Sequence, residues 1–453
     1  MKANHKALIC ISIVIFACGC ASMRKSNVEI NALIADAIKN NQTEEMISMY
    51  TGKITADPQD TGAYKVRGML YAKNSKYEKA IKDLAKVLAA DPKDELVRTI
   101  LGDAYCEYGF TFRWTGDFDK AISLLNKSIE IYPKYYRPWF YRGRTHDLKG
   151  ENDKVLADYT KSIELNTEFV WAYNNRGAYY LDNGEYDKAM ADFDKVIEIE
   201  PKGECAVLSY PNRGKIFCKK GDFNRAIAEC TLAIDIDPKA ILPYSCRAFV
   251  YREIKEYNKA IEDYNSVLEL DSTSASAYIY RGFSYYRRGT YSKAILDYSK
   301  ALELEPKNGN TYNLRGNAYK SQGKVEQSIE DYTKCMELDP KNIYVYNNLG
   351  NAYKDAKKKD LDKAIEYYNK ALEMDPTGRS GCDKPGVAYH GRGHAYFLKK
   401  EYDKALKDLS KAIECNPENK DIYQRRRDVY KALGETGKAE QDNKKAMDLG
   451  DKE

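Results

Sequence analysis

Apolar, small and aromatic residues recur along most of the chain with a period of about 34 residues. The segments YDKAMADFDKVIEIEP, YSKAILDYSKALELEP and YDKALKDLSKAIECNP end at Pro201, Pro306 and Pro417 and share the same order of residue types. Within each period, apolar positions spaced three and four residues apart predict two amphipathic helices. The closing proline cannot donate a backbone hydrogen bond, so we expect it to end the second helix. The pattern therefore predicts a series of helix pairs.

The repeat aligns in eleven units, which begin at residues 61, 95, 136, 170, 207, 241, 275, 309, 343, 386 and 420. Residues 27–60 fit this frame weakly and are expected to form a degenerate N-terminal capping repeat. Extra residues lie near 106–115, 204–206, 356–360 and 379–385. The first of these insertions (EYGFTFRWTG, 107–116) is predicted to be a loop that folds back on the helices or contacts a partner or a membrane.

Four places within the unit hold nearly the same residue type throughout the array. The fourth and eleventh places are aromatic, as in Tyr278 and Tyr353; the eighth is mostly Gly, as in Gly316; and the twentieth is mostly Ala, as in Ala189. Small residues allow two antiparallel helices to approach closely, and aromatic residues wedge a pair against its neighbour. The 39 tyrosines of the chain are thereby explained by packing and need no catalytic role.

These places and the period resemble the tetratricopeptide repeat (TPR) family over most of the chain. The resemblance implies an all-α fold, an α-solenoid of about 11–12 helix-turn-helix repeats that winds as a right-handed superhelix. Each repeat of such an array contacts only its neighbours, so no single globular core is needed. The family also implies that the first helices of successive repeats line a concave groove.

The seventh place departs from the leucine usual in this family and is Arg in nine units, while the twenty-third place of the same units is acidic. In the two remaining units Leu101 faces Leu124 and Leu349 faces Tyr367, so the two places change together. Since the planar guanidinium can bond a carboxylate at two points, we predict ion pairs between the two helices of each unit. The alternative is a pattern inherited through duplication of units. Representative pairs are Arg176 with Asp192, Arg281 with Asp297, and Arg315 with Asp331.

The first residues have the order of an export signal: Lys2 and Lys6, then an apolar run over 7–17, then Cys18-Gly19-Cys20-Ala21. The segment Cys18-Gly19-Cys20-Ala21 resembles the lipobox of bacterial lipoproteins, which implies cleavage before Cys20 and a diacylated Cys20. Residues 1–19 would then be a signal peptide, 20–60 a linker with the capping repeat, and 61–453 the solenoid. Three alternatives remain: lipidation at Cys18, ordinary cleavage after Ala21, and an uncleaved anchor or a misread start.

Lipidation at Cys20 would place the protein in the bacterial cell envelope, facing the periplasm. Because Ala21 replaces the Asp that favours retention in some bacteria, the outer membrane is favoured. The net charge of +5 is small for 453 residues and its signs alternate, so we expect no nucleic-acid partner.

The exposed places of the first helices divide into two zones that predict a groove for a peptide or protein partner. Units 241–308 offer an apolar, aromatic zone, and exposed patches of that kind mark interaction sites. Units 309–378 offer asparagines, whose side-chain amide can pair with a peptide N–H and C=O together. The alternative is that these residues are merely solvated or fill gaps between repeats. The predicted groove residues are Leu242, Phe249, Tyr280, Phe283, Tyr286, Asn310, Asn313, Asn317, Asn347, Asn348 and Asn351.

The sequence therefore predicts a non-enzymatic interaction scaffold that needs no cofactor, with clients in envelope assembly or secretion. No phosphate-binding loop or Ser-His-Asp set stands outside the repeats. Two other readings remain: a metal-binding or enzymatic protein that uses His390 and His394, four residues apart on one helix with Cys382 nearby, and a purely structural spacer. A disulfide between Cys205 and Cys218 is possible, but the spacing of the cysteines cannot establish it.

Overall fold

The computed structural model describes residues 21–377 and 386–450, which form 24 α-helices and no strand. The predicted signal peptide, Cys18, Cys20 and the insertion at 379–385 with Cys382 lie outside these residues. The helices fall into two compact units, the first ending at Pro201 and the second beginning at Lys202. The all-α prediction is confirmed.

The described part of the first unit contains ten helices: α1 (Ala21–Lys39), α2 (Thr43–Ala56), α3 (Thr61–Lys73), α4 (Tyr77–Ala90), α5 (Glu95–Thr115), α6 (Phe118–Ile131), α7 (Tyr136–Lys149), α8 (Asn152–Leu165), α9 (Val170–Asp182) and α10 (Tyr186–Ile199).

The described part of the second unit contains fourteen: α11 (Glu204–Lys219), α12 (Phe223–Ile236), α13 (Ile241–Glu253), α14 (Tyr257–Leu270), α15 (Ala275–Arg287), α16 (Tyr291–Leu304), α17 (Gly309–Ser321), α18 (Val325–Leu338), α19 (Ile343–Asp355), α20 (Leu361–Met374), α21 (Val387–Leu398), α22 (Tyr402–Cys415), α23 (Lys420–Ala432) and α24 (Thr436–Gly450).

Helices pack in sequence order, which makes each unit an α-solenoid. Each odd-numbered helix lies along the even-numbered helix that follows it, and within a unit that helix packs on the next odd-numbered one. The turns have local causes. Asn308 caps α17 by accepting the Thr311 N–H, and Gly323, with φ +80°, reverses the chain between α17 and α18. Across the two described ranges, no helix is long and apolar enough to cross a bilayer.

The glycine at the eighth place lets the two helices of a pair touch. A Cβ on Gly316 would lie 2.6 Å from the Tyr332 ring, and one on Gly350 would lie 2.7 Å from the Tyr368 ring. Both rings are completely buried. Atoms cannot approach so closely, so any larger residue would push the tyrosine out of its site and separate the helices.

The insertion at 107–116 is a correction to the sequence analysis, because it forms helix and not a loop. It extends α5 to 21 residues, and Gly116, with φ +81°, ends the helix. No proline interrupts it earlier. The Phe110 ring lies 4.7 Å from that of Tyr141, whereas Trp114 is 70% exposed. The insertion thus packs along the first unit and leaves one indole in solvent.

A disulfide between Cys205 and Cys218 is excluded by the fold. Both residues lie on α11, thirteen positions apart. At about 1.5 Å of rise per residue their Cα atoms are roughly 20 Å apart, far beyond the ~7 Å that a disulfide can span.

The arginines at the seventh place each lie against the acidic residue of their own pair. In one example, Arg281 Nε and Nη2 donate to the two carboxylate oxygens of Asp297 at 2.8 and 2.7 Å, and the side chains are 19% and 8% exposed. Arg213 makes one such bond, from Nη2 to Glu229 Oε1 at 2.9 Å. The remaining bidentate pairs are Arg67–Asp83, Arg142–Asp158, Arg176–Asp192, Arg247–Asp263, Arg315–Asp331, Arg392–Asp408 and Arg426–Asp442.

The same guanidinium also bonds to the preceding helix pair, a contact that the sequence analysis missed. Arg281 Nη1 donates to Asn265 Oδ1 on α14 at 2.8 Å, so one side chain joins α14, α15 and α16. In the other bidentate pairs, the residue that accepts from Nη1 is, in chain order, Thr51, Asn126, Thr160, Thr231, Ser299, Asn369 and Ser410. We call this three-helix arrangement the arginine clamp.

The two units with leucine at the seventh place fill the same space with apolar contacts. Leu101 and Leu349 are buried. In the second case the Tyr367 ring stacks on the Tyr353 ring, with centroids 5.6 Å apart and planes 12° from parallel. These units show that an apolar pair can replace the clamp when both members change together.

Replacing Arg281 with Leu should destabilise the protein because it leaves the buried carboxylate of Asp297 without its cation. Breaking one side of a buried pair costs about 3–5 kcal/mol, and the partial exposure of Arg281 places the expected loss near the lower end. The double variant Arg281→Leu, Asp297→Leu copies the Leu101–Leu124 pair and should recover most of that loss. Urea denaturation of both variants measures the difference.

The matched control is Lys300→Ala, which removes a surface ion pair with Glu303 whose members are 49% and 63% exposed. Such an exposed pair contributes little to stability because water and salt screen it. A single Arg281→Leu variant as stable as the control, or a double variant less stable than the single one, would contradict the clamp.

Candidate functional site

The predicted groove residues all lie on four first helices of the second unit, α13, α15, α17 and α19. Some successive first helices of this unit contact one another: α11 contacts α13, α15 contacts α17, and α19 contacts α21. Successive second helices of the described residues make no comparable contact. Because the first helices are closer together, they lie on the inner side of the curve, and their exposed side chains face a groove.

The aromatic zone lies on α13 and α15. Tyr280 is 45% exposed, while Leu242, Phe249, Phe283 and Tyr286 are half-buried. The Tyr280 ring stacks on Tyr264 of α14 with centroids 6.1 Å apart, which fixes its orientation. A large aromatic surface is therefore held rigidly and partly open to solvent, as at the energetic centre of many interfaces.

Arg252 lies in the middle of this zone, and the sequence analysis did not single it out. Its guanidinium carbon is 4.6 Å from the ring centre of Tyr280, 5.1 Å from that of Phe283 and 5.8 Å from that of Phe249. Among residues 21–377 and 386–450, its side chain makes one hydrogen bond, from Nη1 to the Tyr264 hydroxyl at 3.5 Å, and its buried Nε has no partner. Arg252 occupies the twelfth, groove-facing place, so a survey of charged residues at that place could have found it.

The asparagine zone is more tightly held than the sequence suggests. Tyr332 donates its hydroxyl to Asn317 Oδ1 at 2.7 Å, and Tyr368 donates to Asn351 Oδ1 at 2.8 Å. Asn348 Nδ2 donates to Asn313 Oδ1 at 2.8 Å. The carbonyl oxygens are thus used within the fold, whereas the Nδ2 groups of Asn317 and Asn351 make no hydrogen bond among the described residues. This zone offers donors to a ligand, rather than the paired donor and acceptor that we predicted.

Two asparagines occupy different positions from the others. Asn310 is exposed at the start of α17. Asn347 is only 3% exposed, so its predicted place on the open groove is wrong. The fifth place of α19 packs inside the stack of helices, and a ligand cannot reach it without moving them.

His390 and His394 are held neutral by their surroundings on α21. Burial lowers the pKa of His390 to about 4 and that of His394 to about 3, and the positive charges of Arg425 and Lys354 add to both effects. Neighbouring cations oppose the binding of a divalent metal. Residues 21–377 and 386–450 contain no group of three or more His, Cys, Asp or Glu side chains suited to a metal, and Cys382 lies outside them.

Comparison with known families assigns the repeats. Models described as TPR repeat and tetratricopeptide repeat match residues 62–94, 170–202, 250–289, 282–323, 316–356, 343–377 and 386–419. The chain belongs to the tetratricopeptide repeat family. A further model, the protein prenyltransferase alpha subunit repeat, matches residues 118–147, which cover α6 and most of α7. TPR arrays are generally non-enzymatic scaffolds for protein interaction, and this TPR protein shares their repeat.

Solved structures similar to this TPR protein include MamA, at 30% identity over 36% of this chain and 94% of MamA, with a TM-score of 0.34. YrrB, described as a TPR protein with an unusual peptide-binding site, is 26% identical over 42% of this chain and 92% of YrrB, with a TM-score of 0.35. The APC/C hetero-tetramer Cut9–Hcn1 is 15% identical over 94% of both chains, with a TM-score of 0.45. None of the curated proteins compared with the chain matches it.

The TPR protein should lose stability as the pH falls from about 7 to 5, because its unfolded state takes up protons that the folded state refuses. Unfolded histidine titrates near pH 6.5, whereas folded His390 and His394 do so near 4 and 3. Each can lower the free energy of unfolding by at most about 1.4 kcal/mol per pH unit within that window. Denaturant titrations of wild type and a His390→Gln, His394→Gln variant measure the slope.

Between pH 6.5 and 5, the free energy of unfolding should fall less steeply in the variant than in the wild type. Carboxylates contribute little to the slope in this range. His146 of the first unit is retained in both proteins and serves as an internal constant. Identical slopes would show that the two histidines titrate normally.

Proposed function

We propose that this protein is a non-enzymatic scaffold whose second unit binds an extended protein segment along the groove from Leu242 to Asn351. The observation that carries the proposal is the juxtaposition, on the inner side of one array, of a rigid aromatic zone and asparagine donors without partners. A segment in extended form presents side chains to the first zone and backbone carbonyls to the second.

The aromatic zone would supply most of the binding free energy. Tyrosine and arginine dominate interface energetics when they are surrounded by contacts that exclude water, and Tyr280, Phe283 and Arg252 form such a centre. The stack of Tyr280 on Tyr264 means that little side-chain entropy is lost on binding.

The asparagine zone would hold the backbone of the ligand with little regard for its sequence. Tyr332 and Tyr368 occupy the Oδ1 atoms of Asn317 and Asn351, which leaves each Nδ2 group to donate. Peptide carbonyls recur along any extended segment. Such a groove would select clients through the aromatic zone and fix their direction through the asparagines.

We further propose that the scaffold is anchored by lipid at Cys20 in the bacterial envelope and faces the periplasm, with clients in envelope assembly or secretion. Three sequence features support this placement: the basic N-terminal residues, the apolar run over 7–17, and the Gly19-Cys20 dipeptide that follows it. Two acyl chains on Cys20 would suffice for stable anchoring, which a single chain does not give.

A photo-crosslinking amino acid at position 280 should capture the client in cells. The expected adduct contains a segment of one partner protein, and it disappears when Phe283→Ala and Asn351→Ala are added. The matched control places the same crosslinker at Leu296, which is 70% exposed on the second helix α16. Equal adducts at both positions, or adducts at 280 that survive the two substitutions, would contradict groove binding.

Labelled palmitate should enter the wild-type protein and a Cys18→Ser variant in a bacterial host, but not a Cys20→Ser variant, because only Cys20 follows the glycine at the predicted cut. The measurement is fluorography of the purified chains. Label lost with Cys18→Ser would move the anchor to Cys18, and label absent from the wild type would overturn the lipoprotein assignment.

A further inference from the structure

We infer that the segment bound in the groove carries an acidic side chain beside an apolar one, and that its carboxylate pairs with Arg252 between the rings of Tyr280 and Phe283. This inference rests on the proposed groove and adds the chemistry of the ligand. It concerns the carboxylate of an Asp or Glu within the segment.

The electrostatic state of Arg252 differs from that of the arginine clamps. Each of the nine arginines at the seventh place has a carboxylate of its own pair within hydrogen-bond distance. No carboxylate of the described residues lies within ion-pair distance of Arg252, whose only polar contact is the long one to Tyr264. Every arginine at the seventh place thus has a counter-ion within its own repeat, whereas Arg252, at a groove-facing place, has none among the described residues.

Aromatic rings do not replace the missing anion. They attract a cation through their π faces, but this attraction is weaker than a charge-assisted hydrogen bond to a carboxylate. The rings also exclude water from one side of the guanidinium, which leaves Nε buried without a partner. Nη2 makes no hydrogen bond to any residue that the structure describes and, unlike Nε, is not enclosed. A ligand carboxylate at that edge would neutralise a charge that is already partly desolvated.

The charge of the rest of the groove points in the same direction. Arg287 is exposed beside Phe283, with its guanidinium carbon 5.8 Å from the ring centre. Farther along, Lys320 and Lys354 share one carboxylate, Asp355, at 3.6 and 2.8 Å. Cations therefore outnumber anions on this face, which suits an acidic ligand and repels a basic one.

The surroundings of Arg252 require an apolar neighbour next to the acid. Phe249, Tyr280 and Phe283 surround the guanidinium, so a residue adjacent to the carboxylate contacts rings on either side. The groove continues through α17 to the asparagines of α19, so the chain of the ligand runs on past this point. Together these features favour an internal Glu or Asp with an adjacent Leu or aromatic residue over a chain terminus.

The test is a panel of fluorescent peptides, capped at both ends, that differ only at a central pair: Glu-Leu, Gln-Leu, Lys-Leu and Glu-Ser in a common Ser/Ala/Asn background. Anisotropy titrations against the purified full chain measure Kd. We expect Glu-Leu to bind at least tenfold tighter than Gln-Leu and Lys-Leu to bind weakest. Glu-Ser should also be weaker, because the rings lose their apolar contact.

Two protein variants assign the effect to Arg252. Arg252→Met keeps the apolar stem and should bind Glu-Leu and Gln-Leu equally, whereas Arg252→Lys should retain part of the preference. The matched control is Arg288→Met, which removes an exposed cation at the end of α15 and should leave the preference unchanged. Thermal melting of each variant verifies that it folds.

The outcomes separate this inference from the proposed function. Equal binding of Glu-Leu and Gln-Leu to wild type, with both lost in Phe283→Ala, would overturn the acidic ligand and leave the groove intact. A preference that survives Arg252→Met, or binding that requires an uncapped C-terminus, would also overturn it. Failure of every peptide to bind would overturn both the inference and the groove.

Discussion

The arginine clamp is the interaction on which the rest of this solenoid depends. A repeat array has no central core, so its stability is a sum of terms within repeats and between neighbours. The clamp contributes to both, since one guanidinium bonds the second helix of its own pair and the second helix of the pair before it. Its side chains are mostly buried, so the charges are satisfied by one another and little by water.

The clamp also explains the distribution of small and aromatic residues around it. The guanidinium of Arg281 lies 5.5 Å from the ring of Tyr278, one turn earlier on the same helix, and Gly282 follows it at the close crossing with Tyr298. Ring, cation and glycine therefore form one packing unit that recurs along the array. Where the cation is replaced, as at Leu349, the acidic partner is replaced too, because an unpaired buried carboxylate would be costly.

Much of this architecture could be predicted from one sequence because the repeat supplies its own comparison. The period gives the helices, and the joint change at the seventh and twenty-third places indicates the arginine–acid contact. The third bond of the clamp was missed because its acceptor varies among Thr, Ser and Asn, although a small polar residue recurs there. Alignment of the repeats shows that residues 107–116 are extra, but it does not show which secondary structure they adopt. The sequence therefore predicts a loop where α5 continues as a helix.

In the groove, the place of a residue within the repeat does not suffice to predict its exposure. A place predicts the face of a helix, but it does not show how far the neighbouring helix covers that face, so Asn347 was expected in the open and is buried. A survey of charged residues at the twelfth place would find Arg252, but only its three-dimensional neighbours show that none of the described residues supplies it with a carboxylate. The scaffold and the proposed site thus use the same guanidinium chemistry. In the clamps a carboxylate of the same repeat pairs with the arginine, whereas at Arg252 we propose that a carboxylate of the ligand does so.

The most direct test of this account is native-state hydrogen exchange on wild type and Arg281→Leu. If the clamp joins three helices, amides of α14 in the preceding repeat must lose protection together with those of α15 and α16, while α22 is unchanged. Loss confined to α15 and α16 would show that the arginine serves only its own pair. In that case the coupling between repeats would have to come from apolar packing alone.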